Sequence, residues 1–158
     1  MLHVALINPE IPWNAGNIGR TCVAAGATLH FVGKLGFKIT SKEIRRSGLD
    51  YWPVLDYKIH QDFNSLIEYL PKRPELIFFS TRGKKLFWNA PYSKNCCLIF
   101  GNESGGLPHD MYERYADALY SIPVSAKVRS LNLSTAAGIA IYEAMRQSGN
   151  CGYKDSPV

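Results

Sequence analysis

The segment "GNESGG" (101–106) sets one carboxylate, Glu103, among residues that barely have side chains, directly after the apolar run "CCLIF". A plain turn needs one glycine for a left-handed position. Three glycines with Asn, Glu and Ser between them imply instead that main chain comes close to something bound. Two further segments share this character. "NAGNIGRT" (14–21) holds Asn14 and a single charge, Arg20, and "VRSLNLST" (128–135) holds Arg129 and Asn132. Each segment also has a plainer reading: an Asn-capped helix with closely packed glycines, a structural turn, and a loop entering a capped helix. Yet all three lie on loops or helix starts, are rich in Asn, Ser and Gly, and supply at most one charge each.

Several common chemistries are absent. There is no G-x-G-x-x-G after the first apolar run and no Gly-Lys-Ser/Thr phosphate loop, which disfavours a usual dinucleotide fold and a P-loop NTPase. No serine sits in G-x-S-x-G, and the four histidines (3, 30, 60, 109) are scattered, so neither a triad nor a metal site is indicated. The four cysteines (22, 96, 97, 151) include no C-x-x-C. Cys96 and Cys97 are neighbours on a strand, so they point to opposite faces and cannot jointly clasp a metal. The expectation is a reduced, cytoplasmic protein with no structural zinc. Nothing at the start resembles a signal peptide, and no apolar run approaches the roughly 18 residues of a membrane span.

With 158 residues, 46% of them hydrophobic, the chain is expected to form one domain, 1–158, large enough for its own core. Its net charge of +5 weakly favours a polyanionic partner. The charge is clustered in "KEIRR" (42–46), "PKRPE" (71–75) and "TRGKK" (81–85), each of which also reads as an ordinary solvated face.

The elements that must position these residues follow from local pattern. "HVALIN" (3–8), "LHFVG" (29–33), "PVLDYKI" (53–59), "ELIFFS" (75–80), "CCLIFG" (96–101) and "ALYSIPV" (118–124) read as strands. The near-continuous apolar runs suit parallel strands covered on both faces. Helices are expected over 14–27, with Asn14 as N-cap and Gly26 as stop, and over 40–48, with a Thr40/Glu43 capping box and Gly48. Further helices are expected over 61–70, around 109–115, and over 134–148. In the last, Leu133, Ala137, Ala140, Ile141 and Ala144 form one stripe and Gly149 ends it, leaving a loose tail. Strands alternating with helices give an α/β fold, a mostly parallel sheet flanked by helices. Ligands in such sheets sit beyond the carboxyl ends of the strands. "STRG" (80–83), "GNESGG" (101–106) and "IPVSAKVRSLNLS" (122–134) occupy such positions.

"NPEIPWNAGNIGR" (8–20), "KEIRRSGLDYW" (42–52), "LIFGNESGGLP" (98–108) and "IPVSAKVRSLNLSTAAGIAIYEAMRQ" (122–147) closely resemble the SPOUT superfamily of RNA methyltransferases, in the order and spacing of the three motifs of its SpoU branch. The resemblance runs from about residue 3 to residue 149. "RRSGLDYW", with no extra RNA-binding domain, is most similar to the minimal subgroup that methylates the wobble nucleotide of tRNA.

The resemblance implies a C-terminal trefoil knot, S-adenosyl-L-methionine as cofactor, a homodimer, and tRNA as the partner. It implies that Gly101, Asn102, Ile122 and the Ser130–Leu131 backbone form the cofactor cleft, with Phe79 and Ser80 along one wall. Glu103 then either holds the knot loops by accepting hydrogen bonds or helps at the site. Arg20 and Asn132 are the implied catalytic residues, with Asn14, Arg129 and Tyr142 beside Arg20 on the RNA. Trp13 stands where relatives often carry a smaller residue, and Gly105 where several carry Arg or Lys. The reaction implied is in-line methyl transfer from a sulfonium to a ribose 2′-hydroxyl, a weak nucleophile until its proton is removed or its oxygen polarised. Arginine is a poor base, so Arg20 is expected to clamp a phosphate and stabilise alkoxide charge. The rivals are a ribosomal RNA or other tRNA position as target, a non-catalytic RNA-binding protein of the same fold, and a small-molecule nucleotide enzyme.

Overall fold

The computed structural model describes residues 1–39, 50–71 and 74–149. The expected helix at 40–48 and the tail from residue 150 lie outside the described residues. Among the described residues, seven strands form one sheet: β1 (Leu2–Ile7), β2 (Thr28–Val32), β3 (Tyr57–His60), β4 (Glu75–Phe79), β5 (Lys85–Leu86), β6 (Cys96–Phe100) and β7 (Leu119–Ser121). Their order is β3-β2-β1-β6-β4-β7-β5, and every neighbouring pair is parallel.

The apolar runs are explained by two cores, one on each face. Along β1, Val4 and Leu6 join one core while Ala5 and Ile7 join the other. Leu98 and Phe100 of β6 alternate with Cys97 and Ile99 in the same way. Cys96 and Cys97 fall on opposite faces, as the pleat requires. Helices α1 (Pro12–Ala25) and α4 (Leu133–Ser148) cover the first face. Helices α2 (Phe63–Tyr69) and α3 (His109–Arg114) cover the second. The stripe on α4 is buried as expected: Ala137, Ala140, Ile141 and Ala144 are at most 1% exposed. Its small residues let α4 lie against α1, which presents Ala15, Ile18 and Cys22.

Local signals explain most helix ends. Asp62 caps α2 reciprocally: its side chain accepts from the Ser65 N–H at 2.8 Å while its own N–H donates to Ser65 Oγ at 3.1 Å. Gly26 and Gly149 close α1 and α4 in the left-handed conformation, at φ 63 in each case. Three expectations differ. Helix α1 starts two residues early, at Pro12 with Ile11 as N-cap, because proline is pre-organised for the first turn. Asn14 therefore lies inside the helix and caps nothing. β3 is shorter than expected, since Trp52–Val54 form a 3₁₀ turn. β7 stops at Ser121, ahead of Pro123, which has no N–H for a ladder. The carboxyl ends of β1, β4, β6 and β7 thus open into four loops on one edge of the sheet.

Candidate active site

Those loops and the first turn of α1 enclose a cleft of about 590 Å³. All seven residues expected to hold a cofactor line it: Phe79, Ser80, Gly101, Asn102, Ile122, Ser130 and Leu131. Asn14, Glu103, Arg129 and Asn132 line it as well. Its floor is backed by the core, where Phe79 and Phe100, nearly buried, stack at 4.7 Å and 12° across the β4–β6 pair. Its rim is polar main chain with Ser, Asn and Gly.

Glu103 ties the cleft together. The Glu10 N–H donates to its Oε2 at 2.8 Å, and the Ile11 N–H donates to Oε1 at 3.2 Å. Asn14 Nδ2 also donates to Oε1, at 2.9 Å. A carboxylate therefore sits at the start of α1, where free N–H groups and the positive end of the helix dipole favour it. The neighbouring Ser104 Oγ donates to Glu10 Oε1 at 2.8 Å, a second stitch between the same segments.

The chain of contacts continues into the third segment. Asn132 Nδ2 donates to Asn14 Oδ1 at 3.0 Å. Asn132 Oδ1 accepts from the Ser134 N–H at 2.9 Å, from Ser134 Oγ at 2.7 Å and from the Thr135 N–H at 3.4 Å, which makes Asn132 the N-cap of α4. Each amide has only one consistent orientation. A carboxylate can only accept, so Asn14 must present Nδ2 to Glu103 and Oδ1 to Asn132; Asn132 must then turn its oxygen to the helix. Residues far apart in sequence are locked into one polar clasp, with Asn14 only 5% exposed at its centre.

The loop's own fold demands glycine at two positions. A Cβ on Gly101 would lie 2.0 Å from the Gly106 carbonyl carbon, because the loop folds back on itself through paired Asn102–Gly106 main-chain hydrogen bonds. Gly106 is also at φ 74. Close approach does explain "GNESGG": on its Cβ side Gly101 meets the loop's own backbone, while its main chain lines the cleft. Gly105 is different: the nearest atom to an added Cβ is Asn102 Oδ1, at 3.3 Å.

Arg20 and Tyr142 do not line the cleft. Arg20 lies further along α1, six residues or about 9 Å of helix axis beyond Asn14. Its side chain is 60% exposed, pairs with Asp50 at 2.8 Å and lies 4.9 Å from the centre of the Tyr51 ring. Tyr142 is half exposed on the outer side of α4. Conversely, Arg82 and Tyr112 line the cleft and were not singled out in sequence, although Arg82 lies within "STRG". Tyr112 occupies an unremarkable amphipathic turn, where no signal marks it. Among the described residues no group of three or more His, Cys, Asp or Glu is placed to hold a metal, and no helix is long and apolar enough to cross a membrane.

The profile of the SpoU rRNA Methylase family matches residues 1–142. The tRNA (cytidine(34)-2'-O)-methyltransferase of Saccharophagus degradans is 38% identical over 156 residues, covering 98% of this chain and 100% of that one. A solved structure described as giving structural insights into the 2-OH methylation of C/U34 on tRNA is 44% identical, with TM-score 0.88, covering 93% of this chain and 95% of its own. An AdoMet-bound rRNA methyltransferase from Sinorhizobium meliloti is 31% identical, with TM-score 0.82, covering 92% of this chain and 56% of that one.

Proposed function

The chain belongs to the SpoU rRNA Methylase family, and we propose that it methylates the ribose 2′-hydroxyl of the wobble nucleotide, position 34, of tRNA, using S-adenosyl-L-methionine. The observation that carries this reading is the cleft built by the three motif segments, set beside relatives of matching length named for that reaction. Identity is higher to the structure described for 2-OH methylation of C/U34 on tRNA, 44%, than to the rRNA methyltransferase, 31%, which favours the tRNA target over the ribosomal one.

The residues suit the cofactor. A cleft of about 590 Å³ is within the usual range for a ligand of this size. Ile122 and Leu131, backed by the nearly buried Phe79–Phe100 pair, offer apolar contact for an adenine, while Ser80, Ser130 and Asn102 edge it with hydrogen-bonding groups. S-adenosyl-L-methionine supplies a methyl carbon on a sulfonium, already a good leaving group.

The protein's task is the nucleophile and its position. As the ribose oxygen took the methyl carbon, the carbon–sulfur bond would break to release a neutral thioether and the hydroxyl proton would pass to solvent, with negative charge building on that oxygen on the way. Arg20, exposed beyond the rim on α1 and paired with Asp50, is assigned to a substrate phosphate, and to that charge once it leaves Asp50 and turns toward the ribose. Arg129 faces the RNA from the opposite loop. Asn14 and Asn132, whose amides are committed to each other, position the rim. Glu103 has both oxygens engaged by N–H donors, so we assign it to holding the loops and not to accepting the proton.

The trefoil knot, the homodimer and a cytoplasmic location belong to the same reading. β6 is inserted between β1 and β4 although it follows β5 in the chain, and its loop is clasped to the start of α1; both support a threaded C-terminal half. The large exposed apolar residues Trp13 on α1 and Ile139 and Tyr142 on α4 support an interface on those helices. Calorimetric titration with S-adenosyl-L-methionine, then incorporation of labelled methyl into bulk tRNA and into ribosomal RNA, tests the reading. Cofactor binding with incorporation into tRNA is expected. Incorporation into ribosomal RNA alone, or tRNA binding with no cofactor affinity, would overturn it.

A further inference from the structure

Among the described residues, three charged side chains line the cleft: Arg82, Glu103 and Arg129. Glu103 is committed to the start of α1, whereas neither arginine has a carboxylate partner among the described residues. Of the two, Arg82 is held in place from beneath. Its guanidinium carbon lies 4.7 Å from the centre of the Tyr112 ring. Tyr112 is fixed in turn, with its hydroxyl 3.3 Å from Ser80 Oγ and accepting from the Leu107 N–H at 3.3 Å.

The turn that carries Arg82 is rigid. The Arg82 N–H donates to Ser80 Oγ at 3.2 Å and the Gly83 N–H to the Ser80 carbonyl at 3.0 Å. Gly83 is pressed onto β7 so closely that an added Cβ would lie 2.5 Å from the Tyr120 carbonyl carbon. The chain then leaves the cleft through exposed Lys84 into Lys85, which starts β5 on the outer edge of the sheet. Lys85 is held back, its Nζ donating to the Asp117 carbonyl at 2.6 Å. Lys84 has no ion pair among the described residues.

A row of cations that begins inside a cleft and runs outward suits a ligand whose charge repeats. The single carboxylate of a cofactor would use one cation and leave the rest idle; a nucleic-acid strand offers a phosphate at every nucleotide. Stacking on a ring leaves the edge N–H groups of a guanidinium free for a bidentate contact to phosphate oxygens. We propose that Arg82 and Lys84 bind the phosphodiester backbone of the RNA strand adjoining the target nucleotide, and so position its ribose at the cleft. The proposal rests on the methyltransferase reading above and names a part of its substrate site.

The test is tRNA affinity measured over a range of salt concentrations for the wild type, Arg82→Ala, Lys84→Ala and the double variant, with cofactor affinity measured in parallel. Each single variant is expected to weaken tRNA binding about three- to tenfold and to flatten the slope of log K against log salt by roughly 0.7–0.9, with about twice that change in the double variant. Cofactor affinity is expected to match the wild type. Unchanged tRNA affinity and slope would overturn the proposal and leave these cations as a solvated guard on a sheet edge. Loss of cofactor affinity in Arg82→Ala would overturn it too, assigning that guanidinium to the cofactor. A wild-type protein that binds neither cofactor nor tRNA would defeat the underlying reading; one that methylates tRNA while the variants keep full affinity defeats only the strip.

Discussion

Replacing Glu103 by glutamine keeps the shape of the side chain but turns one acceptor into a donor. If the new amino group faced Asn14 and the Ile11 N–H, two donors would oppose it, and Asn14 could not turn without opposing Asn132. The less costly arrangement places it against the Glu10 N–H, where one charge-assisted bond is lost. Such a bond contributes about 1.5–3 kcal/mol, and losing the negative charge at the start of α1 removes roughly 0.3–1 kcal/mol more. The contacts are partly exposed, so water takes up some of that loss. A destabilisation of about 2 kcal/mol is expected, or about 4–8 °C in Tm for a chain of this size. Thermal unfolding of Glu103→Gln, beside single-turnover methyl transfer well below its Tm, checks this. Wild-type stability with methyl transfer abolished would refute the clasp and make Glu103 the proton acceptor.

The other predictions reach different parts of the structure. Gly101→Ala should lower stability and cofactor affinity together, because its Cβ would meet Gly106 main chain, whereas Gly105→Ala should leave both near wild type; calorimetry and thermal unfolding separate them. Arg20→Ala should keep cofactor affinity and reduce single-turnover methyl transfer by about 10²-fold, as when one preorganised electrostatic donor is removed, with Arg20→Lys recovering part; a wild-type rate would return Arg20 to a solvated helix face. His3, His30 and His60 form a buried row with ring-nitrogen contacts of 2.9 Å, and His3 Nε2 has no partner among the described residues. An orphan lone pair there is less costly than an orphan N–H, which makes His3 and His30 donate from Nδ1 along the row and leaves the His60 Nδ1–H for the Ser65 backbone; nitrogen-15 NMR should show three Nδ1–H tautomers. Burial, then the charges of His3 and His60 and of Lys58, against an opposing pull from Asp56, hold His30 down at about 3, and burial lowers His3 and His60 as well. The folded state therefore binds fewer protons than the unfolded chain below pH 6.5, the ordinary value. Stability should be full above that pH and fall on acidification toward 3, by up to about 1.4 kcal/mol per pH unit from His30, with His3 and His60 adding to the fall in the same direction, as denaturant melts at several pH values would show.

Much of this was legible in the sequence, for physical reasons. Strands β1, β4 and β6 stand out because burial on both faces leaves no polar alternation, and α4 because one stripe of small residues meets α1. The three motif segments were legible because Asn, Gly and Ser cluster where chain must turn at strand ends. What stayed hidden depends on contacts between distant residues. Glu103 and Glu10 lie 93 positions apart, so no local pattern shows that the carboxylate faces a helix start. Asn14 looks like a cap because caps and clasp residues are the same residue types; only the fold shows it buried inside α1. The two-residue β5 carries a lysine and an exposed leucine on a sheet edge, and so leaves no strand signature. Arg82 acquires its place from Tyr112, which sits on another element entirely.

The most direct measurement is the position of the methyl group on unmodified tRNA after incubation with the protein and S-adenosyl-L-methionine, read by mass spectrometry of nuclease fragments. The account predicts one methyl group, on the ribose 2′-oxygen of nucleotide 34, and none when that nucleotide is supplied as the 2′-deoxy form. Methylation of a base, of a ribose elsewhere in the tRNA, or incorporation that persists with the 2′-deoxy nucleotide would contradict it.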